Sequence, residues 1–243
     1  MAKAKTAKTR SGGGARARGR LVVVGNLKGG SGKSTVAFNL AVWLTAKGHA
    51  VRLVDLDPQK TLSDLVAVRR EIGIEPELMA PADRLDDVAA GGDWTLVDVG
   101  AADMPGMLEA IGRADAVLVP VIPGQADIWA TQRYLKIIDR ERPGHSTVLL
   151  FVNRADPAEQ ARETREAVVA LEAMAGLLEG VAVLPAKLAR RIVFCRSLSE
   201  GAAVFEIEPK SKASDEFEKL ARLVVDIPIP AGRSAGAVTR KAV

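Results

Sequence analysis

The chain has 243 residues, of which 48% are hydrophobic and 4% aromatic, enough apolar material for a full core in one domain. Its one cysteine, Cys195, excludes an intramolecular disulfide and any multi-cysteine metal site or iron–sulfur cluster, and suits a reducing compartment. The formal charge of +4 is unevenly distributed: residues 1–20 carry seven basic side chains and residues 231–243 three, with no acid in either segment, leaving 24 basic against 30 acidic residues between them.

The first 19 residues, with Gly12-Gly13-Gly14 and almost no large apolar side chain, read as a disordered basic arm. Such an arm suits salt-sensitive contact with a phosphate backbone, and equally a solubilising extension. No apolar stretch is long enough to cross a bilayer, and the N-terminus lacks the hydrophobic segment of a secretory signal, so the expectation is a cytoplasmic protein with no membrane partner.

Short apolar runs then alternate with helical patterns. Strands are expected at Leu21–Gly25, Ala50–Asp55, Trp94–Val99, Ala116–Val121, Val148–Val152 and Val181–Leu184. Helices are expected within Lys33–Lys47, Thr61–Ile72, Met104–Arg113, Gln125–Arg140, Ala158–Leu178, Lys187–Ser199 and Ser211–Val225. This repeat of strand and helix implies a single α/β domain over residues 20–226, its mainly parallel sheet covered by helices on both faces, followed by a flexible tail at 227–243. Ligands of such sheets bind beyond the carboxyl ends of the strands.

At the first of those ends stands NLKGGSGKST, Asn26 to Thr35. Gly29, Gly30 and Gly32 let the backbone turn its N–H groups toward an anion, and the following helix adds its positive end. Lys33 is placed to neutralise terminal phosphates and Ser34 to offer its hydroxyl to Mg²⁺, with Ser31 and Thr35 completing the loop. The plain G-x-x-x-x-G-K-[ST] pattern is not met, because Leu27 stands at its first glycine, and a second lysine, Lys28, precedes the expected one. VRLVDLDPQ places Asp55 and Asp57 two residues apart at a strand end, on one side of an extended chain. One suits holding a metal-bound water and the other orienting an attacking water, since phosphoryl transfer depends on positioning and charge neutralisation. DWTLVDVG puts Asp98 at the tip of another apolar strand, where a metal-site carboxylate belongs.

Taken together, KGGSGKST, VDLDPQ and LVDVGAA resemble the deviant Walker A, Walker A′ and Walker B segments of the ParA/MinD group of ATPases, nearest to the small ParF-like partition proteins. The resemblance runs over roughly residues 20–226 and includes ADAVLVPVIPGQADI and FEIEPKSKASDEFEKLARLVVD. It implies a P-loop ATP hydrolase with ATP and Mg²⁺ as cofactors, forming a homodimer with ATP. In that family the extra lysine acts in trans on the partner's phosphates, so Lys28 is expected to resemble an arginine finger. Asp57 takes the position needed for hydrolysis, Asp55 lies beside the metal, Asp98 takes the Walker B position and Asn153 a place where relatives contact adenine. Gln59, Asp103 and Pro185 are candidates for lining the site or its switches.

The same resemblance implies binding of nonspecific DNA as an ATP dimer, release stimulated by a cargo-linked ParB-like activator, and a nucleoid-associated location. Candidate DNA contacts are Lys187, Arg190, Arg191 and Arg196 in KLARRIVFCR; the first three share one face if the segment is helical, a face that is otherwise simply solvated. The runner-up is a MinD-like membrane-cycling ATPase, which needs a C-terminal amphipathic helix where this chain has Pro228 and Pro230. A nucleotide-gated scaffold with vestigial hydrolysis is a third reading, disfavoured by the intact Asp57 and Lys33. A helix-turn-helix operator-binding domain is not expected in the short polar segment before the first strand.

Overall fold

The computed structural model describes residues 19–88, 92–142, 147–158 and 161–228. The expected basic arm, apart from Gly19, and most of the expected tail lie outside the described residues. Six strands form one sheet: β1 (Arg20–Val24), β2 (Val51–Asp55), β3 (Trp94–Asp98), β4 (Ala116–Val121), β5 (Thr147–Ala155) and β6 (Val181–Ala189). Their order is β2-β3-β1-β4-β5-β6, and every pairing is parallel. The strand runs read as nearly continuous Val and Leu because both faces of the sheet are covered.

On one face lies α1 (Lys33–Ala46), packed among α2 (Thr61–Ile72), α6 (Ile192–Glu200), α7 (Val204–Ile207) and α8 (Lys212–Val225). Phe38, Leu40, Leu44, Phe217 and Leu220 fill this layer. α1 is apolar nearly all round, as a helix enclosed by sheet and helices must be. On the other face, α3 (Met104–Arg113), α4 (Gln125–Glu141) and α5 (Arg162–Ala175) bury Met107, Ile111, Tyr134 and Leu171 against the sheet. The helix starts follow local chemistry: the Asp103 carboxylate accepts the Gly106 N–H at 3.1 Å and Ser211 Oγ accepts the Ser214 N–H at 3.2 Å.

One expectation needs correction. The helix expected from Lys187 begins at Ile192, because β6 continues to Ala189. In register, Lys187 lies opposite Val152 and Ala189 opposite Ala155, with an irregularity that takes up Leu184, Pro185 and Ala186. Proline is tolerated there because β6 is the sheet edge. Lys187, Arg190 and Arg191 therefore do not share a helical face. Asp103, a candidate for the site or its switches, also caps α3.

Another feature had no sequence signal. The buried Arg69 of α2, 0% exposed, makes a two-pronged ion pair with Glu206 of α7 at 2.8 Å for both nitrogens. It also donates to the Pro76 and Gly201 carbonyls at 3.0 and 3.2 Å. Glu206 in turn accepts the Ala203 N–H at 2.7 Å, so this charged network is hydrogen-bonded throughout and ties α2 to the α6–α7 corner.

Candidate nucleotide site

The parallel register sets the site. Val24 of β1 pairs with Asp98 of β3, and Asp98 with Asp55 of β2, so three strands end on one line at the base of the glycine loop. From there Asn26–Gly32 crosses to α1, with left-handed φ of 74° at Gly30 and 88° at Gly32. Gly32 caps α1, its carbonyl accepting the Val36 N–H at 2.9 Å. The first turn of α1 holds no acid, leaving the positive end of the helix uncompensated by its own side chains.

The two lysines occupy different environments. Lys33 is 7% exposed and its Nζ folds back to donate to the Lys28 carbonyl at 3.3 Å, a weak partner for a buried ammonium. The Lys28 side chain is exposed at the loop tip. Asn26, which sequence reasoning passed over, fixes the loop's entry. Its amide nitrogen donates to the Pro120 carbonyl at 2.9 Å and approaches Thr131 Oγ1 at 3.5 Å, while its oxygen accepts the Lys28 N–H at 3.1 Å. The position immediately before the glycine loop was the one clue to this role.

The acids divide as well. Asp98 is 0% exposed, and neither carboxylate oxygen has a hydrogen-bond partner among the described residues. Burial pushes its pKa up from 3.8 to about 7, with nearby Asp55 and Asp57 adding to the rise. The Ser34 hydroxyl and Lys33 lie near enough to favour the anion, without offsetting that rise. Asp55, also buried, is by contrast well satisfied: it accepts the Asp57 N–H at 3.1 Å and both the Ser63 N–H and hydroxyl at 2.9 Å. Ser63, in the first turn of α2, was not singled out from sequence, where an isolated serine in a helix carries no signal. Lys60 donates to the Asp55 carbonyl at 2.6 Å and pairs with Asp83 at 2.9 Å, closing this corner.

Asp57 is half-buried, with Oδ1 accepting the Gln59 N–H at 2.9 Å. Its carboxylate lies directly over Gly100; a Cβ there would stand 2.5 Å from Oδ2, so the glycine makes room for the acid. Asn153 reaches the loop itself, donating to the Ser31 carbonyl at 2.7 Å. Gln59 and Pro185 are exposed.

The structure thus brings Gly29–Thr35, Asp55, Asp57, Asp98 and Asn153 to one end of the sheet, around the start of α1. A buried carboxylate with no well-formed hydrogen bond, its nearest favourable neighbours the Ser34 hydroxyl and Lys33, is chemically suited to a hydrated divalent cation. Among the described residues no group of three or more His, Cys, Asp or Glu forms a metal cage. The remaining candidates lie on the β5–β6 side. Lys187 and Arg190 are exposed, and neither makes an ion pair among the described residues. Arg191 pairs with Glu216 at 2.6 Å, and Arg196 with Glu200 and Glu208 at 3.0 and 3.2 Å.

The model of the CobQ/CobB/MinD/ParA nucleotide-binding domain matches residues 22–204. The chain belongs to that family. It is 29% identical over 214 residues, 84% of this chain and 95% of the relative, to the maintenance of carboxysome distribution protein A of Halothiobacillus neapolitanus. Among solved structures, the ATP complex of an aspartate-to-alanine variant of Cyanothece McdA superposes with a TM-score of 0.68 at 19% identity, covering 86% of this chain and 97% of that one. MinD from Pyrococcus horikoshii with Mg-ADP gives 0.62 at 19% identity, covering 85% and 96%. The ParA/MinD group are ATPases that use ATP with Mg²⁺, and the glycine loop and unpartnered Asp98 fit that pair of cofactors.

Proposed function

We propose that this ParA/MinD-type chain is a positioning ATPase that forms a homodimer with ATP, binds nonspecific DNA in that state, and hydrolyses ATP when a cargo-linked, ParB-like activator engages it. The cargo is a plasmid, a chromosome or a protein assembly, and the protein works in the cytoplasm on the nucleoid. In this reading the ATPase unit is 20–226, flanked by the basic arm at 1–19 and the tail at 227–243. The observation that carries it is the division between the lysines: Lys33 is turned into its own loop, while Lys28 projects to solvent where a second protomer's phosphates would meet it.

The loop N–H groups from Gly29 to Thr35 hold the phosphates, and Lys33 exchanges its weak carbonyl bond for them. Ser34 and Asp98 would hold Mg²⁺ and its waters, with Asp55 beside them fixing the start of α2. Bound Mg²⁺ supplies charge neutralisation at the phosphates. Asp57, held over Gly100, orients the attacking water, and Lys28 of the opposite protomer stabilises charge on the transferring phosphoryl group. DNA phosphates are met by Lys187 and Arg190, joined by Arg154 from the neighbouring end of β5; Arg191 and Arg196 serve less, because acids already hold them.

The test is binding to a nonspecific duplex with ATP, ADP or no nucleotide, at low and physiological salt, alongside sedimentation to follow the dimer. Salt-sensitive binding that appears with ATP and accompanies dimer formation is the expected result. DNA binding indifferent to nucleotide would refute the cycle.

A further inference from the structure

Asn153 spans the gap between the end of β5 and the phosphate loop, and both ends of its amide are in use. The nitrogen donates to the Ser31 carbonyl at 2.7 Å, and the oxygen accepts the Arg154 N–H at 2.9 Å. The side chain is 7% exposed, and Arg154 takes a left-handed φ of 53° immediately after it. On the loop side a Cβ at Gly32 would stand 2.5 Å from the Asn153 nitrogen, so the amide occupies the space that glycine leaves open.

Both of these bonds are made to the protein's own backbone, at Ser31 and Arg154. A peptide unit is planar and trans, with its C=O and N–H on opposite sides. Holding the Ser31 carbonyl on the Asn153 side therefore fixes the Gly32 N–H on the other. The bond lies at the point where the loop passes into α1, between the left-handed Gly30 and Gly32. An error in that peptide would redirect the N–H groups that begin the helix.

We propose that Asn153 is a positioning residue of the phosphate loop, setting the Ser31–Gly32 peptide for any polyphosphate regardless of the attached base. The inference rests on the reading of Gly29–Thr35 as the nucleotide site and adds a role for a residue otherwise expected at adenine. Its energetic signature is uniform: loss of one buried hydrogen bond lowers affinity by about three- to tenfold for each ligand, without altering preference between bases.

Titration calorimetry with Mg²⁺ and ATP, GTP or inorganic triphosphate, on wild type, Asn153→Ala and Lys33→Ala, provides the first arm. Asn153→Ala is expected to weaken every polyphosphate that wild type binds by the same factor. A collapse of the ATP-to-GTP ratio with triphosphate affinity unchanged would overturn the proposal and make Asn153 a base contact. The second arm follows hydrogen exchange without nucleotide. Amides of Gly30–Ser34 should exchange faster in Asn153→Ala while those of residues 148–152 do not; unchanged loop exchange would also overturn positioning. Wild-type protein that bound no polyphosphate would instead sink the nucleotide-site reading, and the exchange arm would still judge the contact between Asn153 and the loop.

Discussion

Asp98→Asn tests the electrostatics of the nucleotide site most directly. Asp98 is fully buried without a hydrogen-bond partner among the described residues, and its pKa is raised from 3.8 to about 7. A folded-state pKa above the unfolded value means that the folded protein holds the proton more tightly. Stability is therefore lost as pH rises between about 4 and 7 and is level above. From those two pKa values the penalty is about 2 kcal/mol at pH 5 and about 4 kcal/mol at pH 8. Asparagine does not titrate, and the cost of burying its amide is the same at both pH values. The stability difference between variant and wild type should thus shift in favour of Asn by about 2–3 kcal/mol from pH 5 to pH 8, or several degrees in melting temperature for a domain of this size. The assay is urea unfolding followed by circular dichroism, in EDTA without nucleotide. Parallel stability profiles for the two proteins over this range would refute the reasoning. With Mg²⁺ and ATP the order should reverse, because the same carboxylate is then matched to the cation.

Lys33→Ala should abolish detectable ATP binding by calorimetry, whereas Lys28→Ala should retain binding in the monomer and lose the ATP dimer in sedimentation; Asp57→Ala should keep the dimer and lose phosphate release. Replacing Arg154, Lys187 and Arg190 together with Ala should weaken ATP-dependent DNA binding by about tenfold or more and flatten its salt dependence, with ATP affinity unchanged; an equal effect from Arg191 and Arg196 would move the footprint to α6. Arg69→Ala should cost about 3–5 kcal/mol in urea unfolding by leaving Glu206 without its cation, and Arg69→Met with Glu206→Gln should recover much of it. A loss below about 1 kcal/mol for Arg69→Ala would show that the network carries no such penalty.

Most of the candidate site was legible because its chemistry is local. A strand, a glycine loop and a helix start must be adjacent in sequence for the N–H groups to converge, and Asp55 and Asp98 stand at strand ends, where a parallel sheet gathers them, with Asp57 two residues beyond. The helix expected from Lys187 fails for the opposite reason. The segment KLARR has helical charge spacing, yet pairing with β5 across an intervening helix makes Lys187–Ala189 strand, and Glu216 on α8 captures Arg191. Neither partner is visible within a local window.

By itself the sequence determined the alternation of strands and helices, the phosphate loop with its second lysine, and the acids at the strand ends, since these follow from periodicity and from residues a few positions apart. Only the tertiary structure decided the strand order, the engagement of Asp55 by Ser63, the isolation of Asp98 and the grip of Asn153 on Ser31, because each joins groups held on different elements. The same holds for the pairing of Arg69 with Glu206 on a helix of four residues. Burial converts such pairings into energy, and burial is a property of the assembled layers.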